Sequence, residues 1–331
     1  MSDPFALIEM MADGQFHSGS ELGKRLGISR AAVWKKLKSV REHYNLDFDA
    51  VKGRGYRLKS PIELLDKSII SQYLETMGMS VPPQVTIHHS LGSTNTWLMS
   101  GGRQGMPSGS VCLSEQQSAG KGRHGRYWVS PFGRNLYLSI LFEFDLPPTR
   151  VAGLSLASAV GVMRMLRQID CQGAGLKWPN DVLWQGKKLA GLLLEVAGEA
   201  DGPSQVVVGV GLNTRLDKYG DEIDQPWSDL SGIPGLRPCS RNELAALLIH
   251  HLTSVAHQYR DQGFAGFVDE WHSYDLLLGQ PVMIQNARES IQGEHLGVEE
   301  TGGIRLLVKG ETLTFHAGEV SLGSFNRTRL R

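Results

Sequence analysis

Apolar positions recur at helical spacing from the start of the chain, where Phe5, Leu7, Ile8, Met10 and Met11 form a short stripe that breaks at Phe16-His17-Ser18-Gly19. A second short helix is predicted over 21–26, capped by Ser18 or Ser20, with Leu22 and Leu26 four apart on one face. Gly27 ends it, Ile28 anchors the turn, and Ser29 caps a third helix over about 30–42 with Val33, Leu37 and Val40 as its buried stripe. Two short helices joined by Gly-Ile-Ser read as a helix–turn–helix. β-Prone residues then fill 46–58 around the glycine-tipped basic hairpin Lys52-Gly53-Arg54-Gly55-Tyr56, which has the form of a wing.

Pro61 and a change of composition mark a boundary. A short helical segment over 64–74 precedes the break Val81-Pro82-Pro83. Strands are predicted over 84–89, 110–115, 135–144 and 205–213, and an internal helix over 153–169, where most faces are apolar. Pro179 forbids a regular central strand through Leu176-Lys177-Trp178-Pro179-Asn180-Asp181, so Lys177, Asn180 and Asp181 stand at an irregular strand end. A hairpin joins 182–184 to 188–196 through Gln185-Gly186. The β-branched runs, with few helices between them, imply a mixed sheet with helices on one side. The polar segment 214–234 is a loop carrying Leu216, Ile223 and Trp227. Helices over 242–259 and 264–274 follow, then short strands over 282–285, 289–296, 304–308, 311–315 and 320–322, which suggest a small β-barrel. The expected domains are 1–60, 64–276 and 279–331, a multidomain α+β chain.

A hydrophobic content of 41% and a charged content of 21% describe a soluble globular protein of 331 residues. Formal net charge is +0, so contact with a polyanion must come from local asymmetry. The helix–turn–helix supplies it: Lys24, Arg25, Arg30, Lys35, Lys36, Lys38 and Arg41 face only Glu21. Ser29, Arg30 and Ala31 are small or polar enough to enter a DNA groove, Trp34 and Lys35 lie beyond them, and Lys38 and wing Arg54 can meet phosphates. Cys112, Cys171 and Cys239 are too dispersed for a disulfide framework or a zinc site, which suits a reducing cytoplasm. No apolar run reaches the ~18 residues that span a bilayer, so no membrane partner is expected.

Candidate chemistry centres on residues 115–128, where Gly120, Gly122 and Gly125 alternate with Lys121, Arg123, His124 and Arg126 ahead of Trp128. Such a loop is either a solvated surface connection or a clamp in which backbone and cations close on an anion. It is not a P-loop, and its Gly120-x-Gly122-x-x-Gly125 match to the dinucleotide fingerprint is formal, since no βαβ unit follows. Ser93-Thr94-Asn95, at a strand-to-helix turn, suits plain capping or the binding of a neutral polar ligand group. Lys188 follows the hairpin turn, with Lys187 as the more solvated neighbour. No metal-ligand spacing and no Ser–His–Asp elbow is present, and His250, His251 and His257 have no clear ligand geometry. The residues alone define a binder of an anionic or nucleotide-like ligand.

Ser93-Thr94-Asn95, Gln117 before the Gly120–Arg126 loop, Lys177-Trp178-Pro179-Asn180-Asp181, Lys188-Leu189-Ala190-Gly191 and the segment 209–213 occur in an order that resembles the bifunctional biotin–protein ligase and biotin operon repressor family. With the winged helix–turn–helix and the C-terminal segment, the resemblance covers nearly the whole chain. It implies a central mixed-sheet α/β ligase domain of class II synthetase-like build and an SH3-like C-terminal barrel, which orders the active site or docks the carrier. It implies activation of biotin by ATP, with Mg2+, to biotinyl-5′-adenylate, then transfer to a lysine of a biotin carboxyl carrier protein. No bound prosthetic group and no protein-held metal are expected. By matching position, Lys188 and Arg123 are the catalytic cations; Ser93, Thr94, Asn95, Gln117, Lys121, Gly122, Arg123 and Lys188 hold biotin; and Arg123, Arg126, Trp128, Lys177, Asn180 and Asn213 serve ATP and the adenylate. The 214–234 loop would cover the adenine. An adenylate-bound homodimer would bind operator DNA, pairing through the exposed edge of the 188–196 and 205–213 strands. A lipoate–protein ligase is the alternative enzyme, and a sensor without catalysis the alternative class. One departure stands out: the family reads Gly-Arg-Gly-Arg-Arg-Gly-Arg where this chain has Lys121 and His124, which implies looser retention of the adenylate.

Overall fold

The computed structural model describes residues 5–79, 81–285 and 289–322. Helices α1 (Phe5–Met11), α2 (Gly19–Leu26) and α3 (Arg30–Tyr44) precede a hairpin of β1 (Phe48–Val51) and β2 (Gly55–Leu58). The caps follow the sequence: Ser18 Oγ accepts from Glu21 N–H at 3.0 Å, and Ser29 Oγ from Ala32 N–H at 3.2 Å. Gly27, at φ +66°, takes the left-handed conformation that closes α2. Leu7, Ile8, Met11, Leu22, Val33, Leu37 and Val40 are buried together with Leu46, Phe48 and Leu58. Two residues from beyond the wing complete this core. Ile62 lies in the connecting segment, and Phe132 comes from the central unit to pack 4.7 Å from the Tyr44 ring.

The central unit is a mixed sheet of seven strands. In chain order these are β3 (Val85–His88), β4 (Val111–Ser114), β5 (Leu136–Phe144), β6 (Ala174–Lys177), β7 (Asp181–Trp184), β8 (Lys187–Gly198) and β9 (Ser204–Leu212), in spatial order β3-β4-β5-β9-β8-β7-β6. Only β3 and β4 run parallel. Helices α4 (Lys67–Thr76), α6 (Leu154–Gln168), α7 (Arg241–Gln262) and α8 (Val268–Tyr274) join the larger core. Helix α5 (Thr94–Arg103) does not. Its Leu98 packs with Cys112, Leu141 and Val207, while the alternating residues Leu113, Ile140 and Val208 belong to the larger core. Alternation along a strand puts those two sets on opposite faces, so the expectation of helices on one side only is corrected.

The position of β9 corrects a second expectation. It lies between β5 and β8 and offers no edge. The part of β8 beyond its pairing with β7 is the segment with an open side. The last five strands, β10 (Pro281–Gln285), β11 (Ser290–Val298), β12 (Ile304–Val308), β13 (Glu311–Phe315) and β14 (Glu319–Leu322), form an open antiparallel sheet ordered β13-β12-β11-β10-β14 over the described residues. Its buried face is continuous with the central core through Val282, Ile284, Ile304 and Leu306. Trp178 Nε1 donates to the Gly302 carbonyl at 3.0 Å, and the fully buried His295 and Asp275 pair at 2.7 Å across the same junction. No described helix is long and apolar enough to cross a membrane.

Candidate active site

A cavity of about 430 Å3 opens where β5, β6, β7, β8 and β9 meet the loops beside them. One end is a buried polar cluster. Ser93, Thr94, Asn95 and Gln117 are each less than a tenth exposed. Gln117 Oε1 accepts from Thr94 N–H at 2.9 Å, and Asn95 Nδ2 donates to the Leu193 carbonyl at 3.1 Å. Ser139 Oγ stands 2.7 Å from Thr94 Oγ1 and 2.6 Å from Asn95 Oδ1. Ser93 occupies the N-cap position of α5 but makes no side-chain cap bond, so capping does not account for its hydroxyl. Ser139 was not among the sequence candidates. Its signal was a serine inside the otherwise apolar run 136–142, fully buried in the sheet.

The glycines of β9 make this arrangement fit. A Cβ on Gly209 would fall 2.0 Å from Asn95 Oδ1, and one on Gly211 would fall 2.4 Å from the Trp128 ring. Side chains at these two positions would expel the residues that line the cavity. The Trp128 indole lies over this gap, with its Nε1 buried and without a protein partner among the described residues.

Lys188 enters beside it. Its Nζ pairs with Asp181 Oδ1 at 2.7 Å and lies 5.5 Å from the centre of the Trp128 ring. Lys177 reaches the other oxygen of Asp181 at 3.7 Å. Lys188 is partly buried and Lys187 exposed, as expected. Asp181 was noted at the strand end but given no role in the site, although it holds both lysines. The Lys188 backbone is gripped by the 214–234 loop: its N–H donates to the Pro226 carbonyl at 2.9 Å and its carbonyl accepts from Ser228 N–H at 2.9 Å. Asn213 strengthens that grip, its Nδ2 lying 3.3 Å from the Lys188 carbonyl and 3.1 Å from that of Ser228. Its amide donors are thus used within the protein, although the residue lines the cavity.

The glycine-rich loop is a tight hairpin, closed by Gly122 N–H to the Arg126 carbonyl at 2.7 Å and Trp128 N–H to the Gly120 carbonyl at 3.0 Å. Gly125 and His124 both take positive φ at its tip, +74° and +55°. Its cations diverge. Arg123 turns inward to Asn180 Oδ1 at 3.5 Å, and burial lowers its pKa, against Glu319 and Asp181, whose charges raise it. Arg126 pairs with Glu319 Oε2 at 2.5 Å. The Lys121 ammonium reaches Glu195 at 3.6 Å, at the open side of β8. Glu319 and Val320 bring the C-terminal sheet into the cavity wall, a contribution that no local pattern announced.

Ile223 and Trp227 of the 214–234 loop line the cavity, together with Glu222, Asp224 and Gln225. Leu216, expected beside them, is instead fully buried away from the lining. The loop also touches the N-terminal unit: Lys218 Nζ pairs with Asp47 at 2.6 Å, and Tyr219 OH donates to the Asn45 carbonyl at 2.6 Å. On that unit Ser29, Arg30, Ala31, Trp34, Lys35, Lys38 and Arg54 are all exposed, with Trp34 57% accessible. Lys38 lies 3.8 Å from Glu42, and the Ser29 hydroxyl is used as the α3 cap.

Residues 89–213 match the Biotin/lipoate A/B protein ligase family, and residues 5–57 match an HTH domain. The chain is 36% identical to the bifunctional ligase/repressor BirA of Salmonella typhimurium over 97% of its own length and 98% of that protein. It is 35% identical to BirA of Escherichia coli, covering 97% of each. The biotin protein ligase of Aquifex aeolicus, solved in complex with biotin and ATP, superposes with a TM-score of 0.62 at 27% identity, over 72% of this chain and 97% of that one.

Proposed function

This chain belongs to the family of bifunctional ligase/repressors, and we propose that it joins biotin to a carrier protein and represses transcription through its helix–turn–helix. The observation that carries this reading is one cavity in which a buried amide-and-hydroxyl cluster meets Lys188 and Arg123. Ser93, Thr94, Asn95 and Gln117, with the Lys121–Gly122 backbone, suit a neutral cyclic urea, which needs donors and acceptors but no charge. Arg123, Arg126, Trp128, Lys177 and Asn180 suit a nucleotide. Asn213 acts by holding the Lys188 backbone.

In the first step a biotin carboxylate oxygen attacks the α-phosphorus of ATP; the bond to the bridging oxygen breaks and pyrophosphate leaves with its electrons. Two anions meet here, so fixed cations at the point of contact lower the barrier most. Lys188 is held for that task by Asp181, and Arg123 acts where partial burial strengthens its field. In the second step a neutral carrier lysine attacks the acyl carbon of the mixed anhydride, AMP leaves, and the amine gives up its proton to solvent. Mg2+ arrives with ATP as part of that substrate. Among the described residues no His, Cys, Asp or Glu cluster could hold a metal, and Asp181 is taken up by two lysines. The C-terminal sheet supplies a wall of the site through Glu319. The enzyme works in the cytoplasm without a membrane partner.

Repression follows if the adenylate orders the 214–234 loop and favours a homodimer that presents two helix–turn–helix units to paired half-sites. The Lys218–Asp47 and Tyr219–Asn45 contacts support a direct path from that loop to the DNA-binding unit. The test is transfer of labelled biotin to a purified carrier domain with ATP and Mg2+, for wild type and Lys188→Ala. Collapse of labelling by about 100- to 1000-fold in the variant is expected. No labelling by folded wild type would overturn the ligase reading. Equal operator affinity with and without biotin plus ATP would overturn the corepressor reading.

A further inference from the structure

The wing carries two arginines that the structure treats differently. Arg57 pairs with Asp49 at 2.9 Å, so its charge is answered within the hairpin. Arg54, exposed at the wing tip between Gly53 and Gly55, has no carboxylate partner among the described residues. Both guanidinium groups nevertheless lie over one ring, that of Phe16, at 4.2 Å for Arg54 and 4.6 Å for Arg57. Phe16 is partly exposed and lies outside the hydrophobic core of the unit. It sits beside the contact that pins the wing: His17 and Tyr56 exchange backbone hydrogen bonds at 2.8 and 2.9 Å. A Cβ on Gly55 would fall 2.0 Å from the His17 carbonyl oxygen, so only glycine lets the wing approach His17 this closely.

We propose that Phe16 is a positioning residue for DNA binding, an aromatic platform that holds the Arg54 guanidinium at the wing tip for a backbone phosphate. A long arginine on a two-glycine turn would otherwise sample many rotamers, and ordering them on DNA costs affinity. The ring face attracts the cation and fixes its plane before DNA arrives. Arg57, neutralised by Asp49, fills the rest of the platform and keeps Arg54 from folding back onto that carboxylate. The proposal rests on the DNA-binding reading of this unit.

The test uses full-length protein and a labelled mixed-sequence duplex, with binding followed by anisotropy between about 50 and 200 mM salt. Each phosphate contact adds about 0.9 to the log–log salt slope, so losing one shrinks the wild-type advantage about 3.5-fold over that range. Arg54→Gln should show that loss. Phe16→Leu, which keeps the apolar bulk but removes the ring, should show most of it, and Phe16→Tyr should restore wild-type affinity and slope. In the Arg54→Gln background, Phe16→Leu should cost nothing further, because the partner of the platform is gone. Additive losses, or a Phe16→Leu slope equal to wild type, would overturn the proposal. Arg54→Gln tests the wing even if the Phe16 variants fold poorly, since its side chain is solvated; an Arg54→Gln slope equal to wild type would also overturn it. A wild type that binds no DNA at any salt would sink the DNA-binding reading itself, a different outcome from either.

Discussion

Replacing Gly209 and Gly211 by alanine, one at a time, should damage opposite ends of the cavity although the two residues are neighbours on β9. At Gly209 the new methyl would lie 2.0 Å from Asn95 Oδ1 and 2.8 Å from its Cγ, so Asn95 must leave its place. It then forfeits its bonds to Ser139, which is fully buried, and to the Leu193 carbonyl, which is partly buried. An abandoned buried polar group costs about 1–3 kcal/mol, which for a domain the size of the central unit lowers its Tm by roughly 2–12 °C. With biotin seated as proposed, the same displacement removes one polar contact for its ureido group, and about 1–3 kcal/mol there raises the biotin KM about 5- to 150-fold. At Gly211 the methyl meets the Trp128 ring at 2.4–2.7 Å and leaves Asn95 alone. Loss of the indole's stacking, about 0.5–1.5 kcal/mol, should raise the ATP KM roughly two- to tenfold and spare the biotin KM. The assay is steady-state labelling of a carrier domain, with each substrate varied at saturating levels of the other. If Gly209→Ala raised the ATP KM and left that of biotin unchanged, or if the two variants behaved alike, the division of the cavity would be wrong.

The loop departures give a second prediction: Lys121→Arg should slow release of preformed adenylate, read by chasing labelled intermediate, because the fork of arginine holds both Glu195 and the loop more firmly than the single Lys121 contact at 3.6 Å. Unchanged release would remove that idea. Asp47→Asn should shrink the ratio of operator affinities with and without biotin plus ATP by about two- to fivefold, the reach of an exposed ion pair, while leaving the labelling rate intact. That link should not vary between pH 6 and 8. The Lys218 hydrogen bond, foremost, lowers the Asp47 pKa, so the contribution is full above the unfolded carboxylate value and disappears only as pH falls through the lowered one. A coupling ratio that changed across neutral pH would point to a different titrating group.

What the sequence revealed and what it hid divide along one physical line. Caps, stripes and turns are local, so Ser18, Gly27, Ser29 and the Val33–Leu37–Val40 stripe located the DNA-binding unit to within a residue or two. The glycine-rich loop was legible because a run of glycine and cation is unusual in itself. A strand's alternation, by contrast, says that one face is buried without saying against what. Hence the helix announced by the turn at Ser93 was not placed on the far face of the sheet, and β9 was expected at an edge when it lies inside. The same limit governs the site: Arg126 and Glu319 are 193 residues apart, and Asn95 and Leu193 are 98 apart. Ser139 shows where such pairings leave a trace. A hydroxyl inside an apolar strand is costly unless something answers it, and here the answer is Thr94 and Asn95. A polar residue at a position the pattern reserves for the core therefore points to a partner, and that partner shares a site. Asn213, just past the end of β9, is such a residue: its buried amide is answered by Asn135, Lys188 and Ser228, so it ties Lys188 to the 214–234 loop.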